Sequence, residues 1–444
     1  MITTFIDVIR AMESFTNLEK NINHFTTRYY RLDRMEKLLQ FFNNPEKDYK
    51  TIHVAGSKGK GSTSKFIASA LKALNYKVGL YASPHLLDYK ERFTLCGDFF
   101  EDSFLVEVGT YILEKLKDFK FIDQWGETNP TTFELFTLYG YMLFSKSNCD
   151  YAVIETGLGG RLDATNTLTP VLSVICPIEL EHTNILGDTI AKIATEKSKI
   201  IKPGIPVVAA TLKDEAKTVM INEAKANNSY IAFLEDSADK IITKTTKDFE
   251  DVEIFWKDNT STKLNLNLKG SVMAQNAALA ILALKTLNLF DEKMIDFINK
   301  ATLLGRFQLL DTNPDLYIDG AHTKVSISSL VSSIEQIENQ EKCTVIFGSL
   351  IDKDHKAIAP ILLNNFKNII ISKPGTFKKS DTPSLYNLFC ELNNNNCNIE
   401  MIMDSKAALN KALEITPKDG CILVCGSFYL ASEIALAHKE IKNI

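Results

Sequence analysis

The stretch Ile52–Ser62 reads IHVAGSKGKGS, and a helix-like segment, Ser64–Leu74, follows it. A β-branched strand that runs into a glycine-lysine turn and then a helix is the order of a phosphate-binding P-loop. In such a loop, backbone N–H groups and the helix N-terminus hold phosphate oxygens while a lysine neutralises them. The segment therefore predicts a nucleoside triphosphate site built from Gly56, Ser57, Lys58, Gly59, Lys60, Gly61 and Ser62. It departs from the GxxxxGKS/T form, since the first glycine would fall at Val54 and Gly61 stands where a hydroxyl residue should follow the lysine. A bound triphosphate needs Mg²⁺ to bridge its oxygens, and the usual hydroxyl ligand is missing. The metal must then be held partly from elsewhere. A turn with no nucleotide is the ordinary alternative, because glycines mark turns as often as sites.

The rest of the chain offers ligands at matching places. Short apolar runs alternate with helical patterns, the signature of a parallel α/β sheet. YKVGLYAS ends at Ser83-Pro84-His85, YAVIETG ends at Glu155 and Gly157, and LSVICPI ends just before the run Glu179 to His182. In open α/β sheets ligands collect at the carboxyl ends of the strands, where a P-loop also sits. Candidate metal ligands thus follow three strands: the Ser83 hydroxyl, the Glu155 carboxylate and the His182 imidazole. Singly each has a plain alternative, as a turn former before proline, a lysine partner and a core histidine. Together a cation explains them better, since an unpaired buried carboxylate is expensive. The loop ETGLGGRLDATN, Glu155–Asn166, has glycines where backbone can approach a ligand, then a polar cluster, and reads as a substrate loop.

At 444 residues the chain exceeds what one core supports, so two domains are expected, over residues 1–300 and 301–444. Apolar residues at 45% and charged residues at 24% fit a soluble globular protein. A net charge of −5 argues against nucleic-acid binding, whose mark is a basic excess on at least one domain. The opening MITTFIDVIRAMESF is interrupted by Asp7, Arg10 and Glu13, so neither a signal peptide nor a membrane span is read there, and a cytoplasmic protein with no membrane partner is expected. The eight cysteines lack CxxC spacing and read as thiols, with Cys421 and Cys425 of CILVC as small core residues. Asn393–Asn396 reads as a surface loop.

A second, smaller α/β unit begins near Gly305-Arg306-Phe307. Its strands LYIDGA, CTVIFGSL, NIIISKPG, IEMIMD and CILVCGSFY alternate with helical segments such as Ser326–Ile337 and Lys406–Ile415. It has no P-loop of its own, and is expected to close over a ligand held by the first domain. Arg306 stands at its start and Asp319 at the end of its first strand; an arginine there either reaches a γ-phosphate or is an ordinary surface side chain.

Taken in order, IHVAGSKGKGS, SPHL with ERF, ETGLGGRLDATN, EHTNILGDT, EKSKIIKPGIPVV, GRFQ, DGAH and GSFYL resemble the motifs of the folylpolyglutamate synthase/dihydrofolate synthase family, a branch of the Mur ligase superfamily. The resemblance runs from about Arg31 to Leu430. It implies an α/β protein: a mostly parallel P-loop domain like the Mur ligase central domain, plus a smaller Rossmann-like C-terminal domain that closes over ATP and binds glutamate. It also implies ATP-dependent amide formation, in which the γ-phosphate passes to a substrate carboxylate and the amine of L-glutamate attacks the acyl phosphate. ATP is then a co-substrate, dihydropteroate or tetrahydrofolate the acceptor, and Mg²⁺ the cofactor, with a second ion beside the first. A monomer is the expected state.

The resemblance assigns residues one by one. Ser83, Glu155 and His182 match metal ligands, in agreement with the strand-end argument. Lys197 of EKSKIIK matches a lysine that is carbamylated and helps hold the second Mg²⁺; the residues alone do not separate it from Lys192, Lys199 or Lys202, all readable as solvated lysines on one helix. Lys60, Glu155, His182 and Lys197 form the implied catalytic set. Asn276, Arg306 and Asp319 match ATP contacts outside the P-loop, and His322 of DGAH joins the substrate set. Thr131 and Phe133 of PTTFE, with Asp163 and Ala164, match positions that line a pterin pocket. There a carboxylate accepts from the pterin ring N–H and amino group, and a phenyl ring offers a stacking face. Asp163 also reads as a cap of its own loop. The Asp-Ala pair favours an enzyme that makes dihydrofolate and then extends folates with glutamate, over one that only extends them.

The chain departs from the family pattern in places. Ser57-Lys58 replaces Thr-Asn, Lys199 replaces a glycine, Val272-Met273 replaces a His-Gln pair, Glu181 replaces an aspartate, and Thr323-Lys324 replaces Asn-Pro after His322. A cell-wall Mur ligase is disfavoured, because about fifty residues precede the P-loop where those enzymes carry a nucleotide-sugar domain. A nucleotide-switched binding protein is the alternative of another class, and glutamate-dependent phosphate release separates it from a ligase.

Overall fold

A computed structural model of the chain describes residues 2–17, 31–123, 126–375 and 379–442. They fold as two units, one of residues 1–241, 254–262 and 275–298, the other of residues 242–253, 263–274 and 299–444.

The first unit is built on an eight-stranded sheet. From edge to edge its strands are Ile231–Phe233, Val207–Ala209, Leu172–Ile175, Lys50–Ala55, Tyr151–Glu155, Val78–Tyr81, Phe93–Leu95 and Asp98–Phe99. All neighbours are parallel up to Val78–Tyr81, and the last two strands join antiparallel. The central strands Tyr151–Glu155 and Leu172–Ile175 are buried along their whole length, as a sheet covered on both faces requires. Packed aromatic residues such as Phe93, Phe136 and Tyr139 fill one side with the N-terminal helix Phe5–Glu13, and Ile175, Ile193 and Val207 gather on the other.

The second unit carries a six-stranded sheet in the order Gln308–Asp311, Asp315–Ile318, Cys421–Cys425, Cys343–Phe347, Asn368–Ile371, Asn398–Met401. Only the first pair is antiparallel. Strand alternation feeds two cores: Tyr317, Val345, Phe347, Ile369 and Leu423 point to one face, and Leu316, Ile318, Ile346, Ile370 and Val424 to the other. Its helices Lys324–Ile337, His355–Asn365, Thr382–Glu391 and Ser405–Ile415 start at Thr323, Asp354, Asp381 and Asp404, each accepting a backbone N–H of the first turn. Both α/β layers therefore match the expected class. A three-stranded sheet of Ala238–Thr245, Glu250–Trp256 and Ser261–Leu266 completes the strands between them in sequence.

All eight cysteines are thiols and only Cys390 is exposed, which agrees with a core role for Cys421 and Cys425. Asn393–Asn396 lies outside regular structure. Among the described residues no helix is long and apolar enough to cross a membrane.

Candidate active site

The P-loop strand Lys50–Ala55 lies between Tyr151–Glu155 and Leu172–Ile175, so the loop after it is flanked by the carboxyl ends of both. The following helix runs Lys60–Ala73, one turn earlier than the expected Ser64 start, because Gly59 takes the left-handed conformation at φ 78° and caps it directly. Nothing larger fits there: a Cβ on Gly59 would stand 2.5 Å from Asn276 Oδ1, which puts Asn276 against the loop. Gly56 approaches Cys176 as closely, 2.5 Å from a built Cβ to the Cys176 Cβ.

Hydrogen bonds set the loop's shape. Ser57 N and Lys58 N donate to Pro177 O at 2.8 and 3.3 Å, and Ser57 Oγ donates to Glu179 O at 3.0 Å. Ser57 and Lys58 thus tie the loop to the turn after Leu172–Ile175, through groups that a Thr-Asn pair would also offer. Lys60, the first residue of the helix, donates from Nζ to Gly56 O at 3.0 Å and stands 3.8 Å from Glu155 Oε1. Glu155 is 5% exposed, and a Cβ on Gly61 would lie 3.6 Å from its Oε2. The Glu155 carboxylate therefore stands beside the loop at the position where the hydroxyl side chain is missing.

Ser83 follows Val78–Tyr81, the sheet neighbour of Tyr151–Glu155, and His182 follows Leu172–Ile175. His182 is exposed and precedes the short helix Thr183–Leu186 with φ 47°. Strand order brings Ser83, Glu155 and His182 to the same edge of the sheet as the P-loop. Among the described residues no three His, Cys, Asp or Glu side chains cluster as a ready metal site. The oxygen donors of Glu155 and Ser83 nevertheless suit Mg²⁺, which takes few protein ligands and keeps several waters.

Lys197 does not behave like its neighbours. It lies in the helix Ile190–Ser198, whereas Lys199 is the C-cap and Lys202 is beyond it, which corrects the reading of one helix of solvated lysines. Lys197 is 1% exposed and donates to Gly56 O at 2.9 Å and Glu181 Oε1 at 2.8 Å. Burial pushes its amine below the ordinary lysine range, against the pull of Glu181. Burial also works to raise Glu181, but Lys197 and Lys60 overcome it and hold that carboxyl low. The Glu181 departure is thus the ion-pair partner of Lys197, a link the sequence reading missed.

A second cluster forms around Gly157. A Cβ built there would lie 2.4 Å from Phe133 Cζ and 3.2 Å from Asp163 Oδ2, so these two expected pterin residues are neighbours. Thr131 caps the helix Thr132–Lys146 in a reciprocal box with Glu134. Asp163 does cap its own loop: Oδ2 accepts Leu158 N at 2.8 Å, while Oδ1 accepts Thr165 N at 3.1 Å and Thr165 Oγ1 at 2.5 Å. Burial raises its pKa, and those hydrogen bonds oppose the rise. Ala164 is buried beside it as the first residue of the 3₁₀ turn Ala164–Thr167.

The C-terminal unit has its own polar cluster. Asp319 accepts Phe307 N at 2.7 Å and Ala321 N at 2.6 Å; its burial raises its pKa and Arg306 lowers it. The Arg306 guanidinium lies 4.2 Å over the Phe428 ring, and His322 Nδ1 is 2.7 Å from Gly320 O, with its ring 6.2 Å from that of Phe428. Phe428, which joins Arg306 to His322, was not singled out from sequence; its place in GSFYL was the available signal.

Comparison with known proteins agrees with this layout. The Mur ligase middle domain matches residues 54–284, and the Mur ligase glutamate ligase domain matches residues 305–428. The dihydrofolate synthase/folylpolyglutamate synthase of Bacillus subtilis (strain 168) is 34% identical over 333 residues, covering 73% of this chain and 76% of the relative. The folylpolyglutamate synthase of Lacticaseibacillus casei is 31% identical, with 97% of each chain covered. The solved apo form of the L. casei enzyme superimposes with a TM-score of 0.84 at 28% identity over 100% of both chains, and its AMPPCP complex with 0.82 at 27% over 100% of both chains. The chain belongs to the folylpolyglutamate synthase/dihydrofolate synthase family of Mur ligases.

Proposed function

We propose that the protein is an ATP-dependent ligase that joins L-glutamate to a pterin or folate carboxylate, making dihydrofolate from dihydropteroate and extending tetrahydrofolate with further glutamate. The observation that carries this reading is the approach of Lys60 to Glu155, 3.8 Å apart, where a phosphate loop meets a neighbouring strand end of one parallel sheet. The bifunctional reading is supported by Asp163-Ala164 beside Phe133 and by the B. subtilis relative, whose name carries both activities. The reading carries with it a cytoplasmic monomer that uses ATP, glutamate and the pterin, without nucleic acid or membrane.

In this reaction a substrate carboxylate oxygen attacks the γ-phosphorus, the bond to the ADP oxygen breaks, and ADP leaves with that electron pair. The glutamate nitrogen then adds to the acyl carbon, phosphate leaves, and the nitrogen gives up a proton. Lys60 contributes charge where phosphate oxygens become more anionic towards the transition state. The N–H groups of the P-loop and Asn276 align the nucleotide, and alignment is worth more here than covalent help from the protein. Ser83, Glu155 and His182 would hold Mg²⁺, and a carbamate on Lys197 a second ion, where the metal offsets phosphate charge. Arg306, Asp319 and His322 are assigned to ATP and substrate on their motifs alone. Thr131, Phe133, Asp163 and Ala164 hold the pterin.

Purified protein with Mg²⁺, ATP and glutamate should form ADP when either dihydropteroate or tetrahydrofolate is added, and Lys60→Ala should lose far more than about tenfold of that rate, ~1.4 kcal/mol of barrier. No ADP with either pterin would sink the reading. Product with tetrahydrofolate alone would reduce it to a folylpolyglutamate synthase.

A further inference from the structure

His53 lies in the P-loop strand, fully buried, and its Nε2 is 2.8 Å from Thr165 Oγ1. The same hydroxyl is 2.5 Å from Asp163 Oδ1. One side chain of the nucleotide strand is thus joined through a single hydroxyl to a residue assigned to the pterin.

The direction of this chain of hydrogen bonds follows from proton count. A threonine hydroxyl has one proton to give. Asp163 is ringed by donors, the N–H groups of Leu158 and Thr165 at 2.8 and 3.1 Å and the Thr165 hydroxyl, and such a carboxyl is served as an acceptor. Thr165 therefore donates to Asp163, and its lone pair receives the His53 Nε2–H. The reverse order would need a protonated Asp163 and a proton on His53 Nδ1. That nitrogen is buried and has no hydrogen-bond partner among the described residues, so the reverse order buries an unanswered N–H. Burial also drives the imidazole pKa down to about 3, so the ring is neutral.

We propose that His53 is a positioning residue for pterin binding: as the neutral Nε2–H tautomer it orients the Thr165 hydroxyl, which keeps Asp163 an acceptor and anchors Oδ1, so that the carboxylate presents its remaining lone pairs on the side of Phe133 to the pterin. This rests on the assignment of Asp163 to the pterin.

The test compares KM for dihydropteroate with KM for ATP. His53→Leu and Thr165→Val are expected to raise the dihydropteroate KM about tenfold and the ATP KM less than about threefold, as loss of a hydrogen bond at a charged group implies. His53→Gln and Thr165→Ser, which keep an N–H donor and a hydroxyl, should restore most of the affinity. The double variant His53→Leu/Thr165→Val should be no worse than Thr165→Val, because His53 acts through the hydroxyl. ¹⁵N NMR of the folded wild-type protein at neutral pH should show His53 as the Nε2–H tautomer. Equal losses in both KM values, additive effects, or an Nδ1–H or doubly protonated ring would overturn the proposal. Asp163→Asn separates the levels: an unchanged dihydropteroate KM defeats the pterin assignment and the relay with it, whereas a raised KM with silent His53 and Thr165 variants defeats the relay alone.

Discussion

Between residues 192 and 202 four lysines compete for one role, and burial separates them. The Lys197 side chain is 2% exposed, against 63% for Lys192 and 38% for Lys199. Lys192 pairs with Asp188, Lys199 with Glu223, and Lys202 with the Asn166 carbonyl, all away from the P-loop. Of the four, Lys197 reaches Gly56 O, at 2.9 Å, and a group there stands at the P-loop. The Gly-to-Lys199 departure does not intrude, since its Nζ is 2.7 Å from Glu223 Oε2. Lys197→Ala is expected to lose about a hundredfold or more in ADP formation, roughly 2.7 kcal/mol of barrier. If the working form is a carbamate, a short carboxylate such as acetate or propionate restores part of the rate by supplying the oxygen ligands. A variant with full activity, or one that no carboxylate rescues, removes the carbamate role and leaves Lys197 as the counter-ion of Glu181.

At the scale of elements, the helix Leu32–Phe41 fixes the start of the helix that carries Phe133. Its Arg34 is 1% exposed and holds Glu134 with Nε–Oε1 3.1 Å and Nη2–Oε2 3.2 Å, while also donating to Thr128 Oγ1 and Asn129 O. The same Glu134 Oε2 accepts Thr131 N at 2.7 Å, so the arginine supports the cap at Thr131 through the carboxylate. Truncating one partner of a buried pair strands the other charge, and Arg34→Met is expected to cost about 3–5 kcal/mol. The measurement is the urea unfolding midpoint. Arg34→Met/Glu134→Gln should cost less than the two single changes summed, because the stranded charge is then absent. Additive losses would show that the two side chains act independently. Element ends elsewhere follow local chemistry: Thr323, a departure from the family pattern, caps the helix Lys324–Ile337 in a box with Ser326.

At the scale of the molecule, a nucleotide that binds the folded first unit and not the unfolded chain must stabilise it by mass action. At about a hundred times its Kd, ATP adds ~2.7 kcal/mol, which should appear as a rise in thermal midpoint of wild-type protein with Mg²⁺. Lys60→Ala should fold with a similar midpoint in buffer and lose most of the rise, because among the described residues Nζ is held by Gly56 O at 3.0 Å and Glu155 at 3.8 Å, near the surface of the loop, and carries little of the fold. An undiminished rise would mean that the nucleotide does not depend on this loop.

The parts of this protein legible in sequence are those in which neighbours along the chain form the feature. The P-loop needs a strand, glycines and a helix start within eleven residues, Ile52–Ser62, so its chemistry shows in one glance at the string. The α/β class shows for the same reason, since each strand and helix announces its own period. Glu155 and Asp163 were legible as strand-end and loop carboxylates, but their partners were not. Lys60 meets a residue on another strand, Lys197 meets Gly56 across 141 positions, and His53 meets Thr165 across 112. Only the order of strands in the sheet decides such pairs, because it brings carboxyl ends together from distant parts of the chain. Burial then decides which of several similar side chains is held at the site, as it separates Lys197 from Lys192, and burial is a property of the packed molecule that no local pattern encodes.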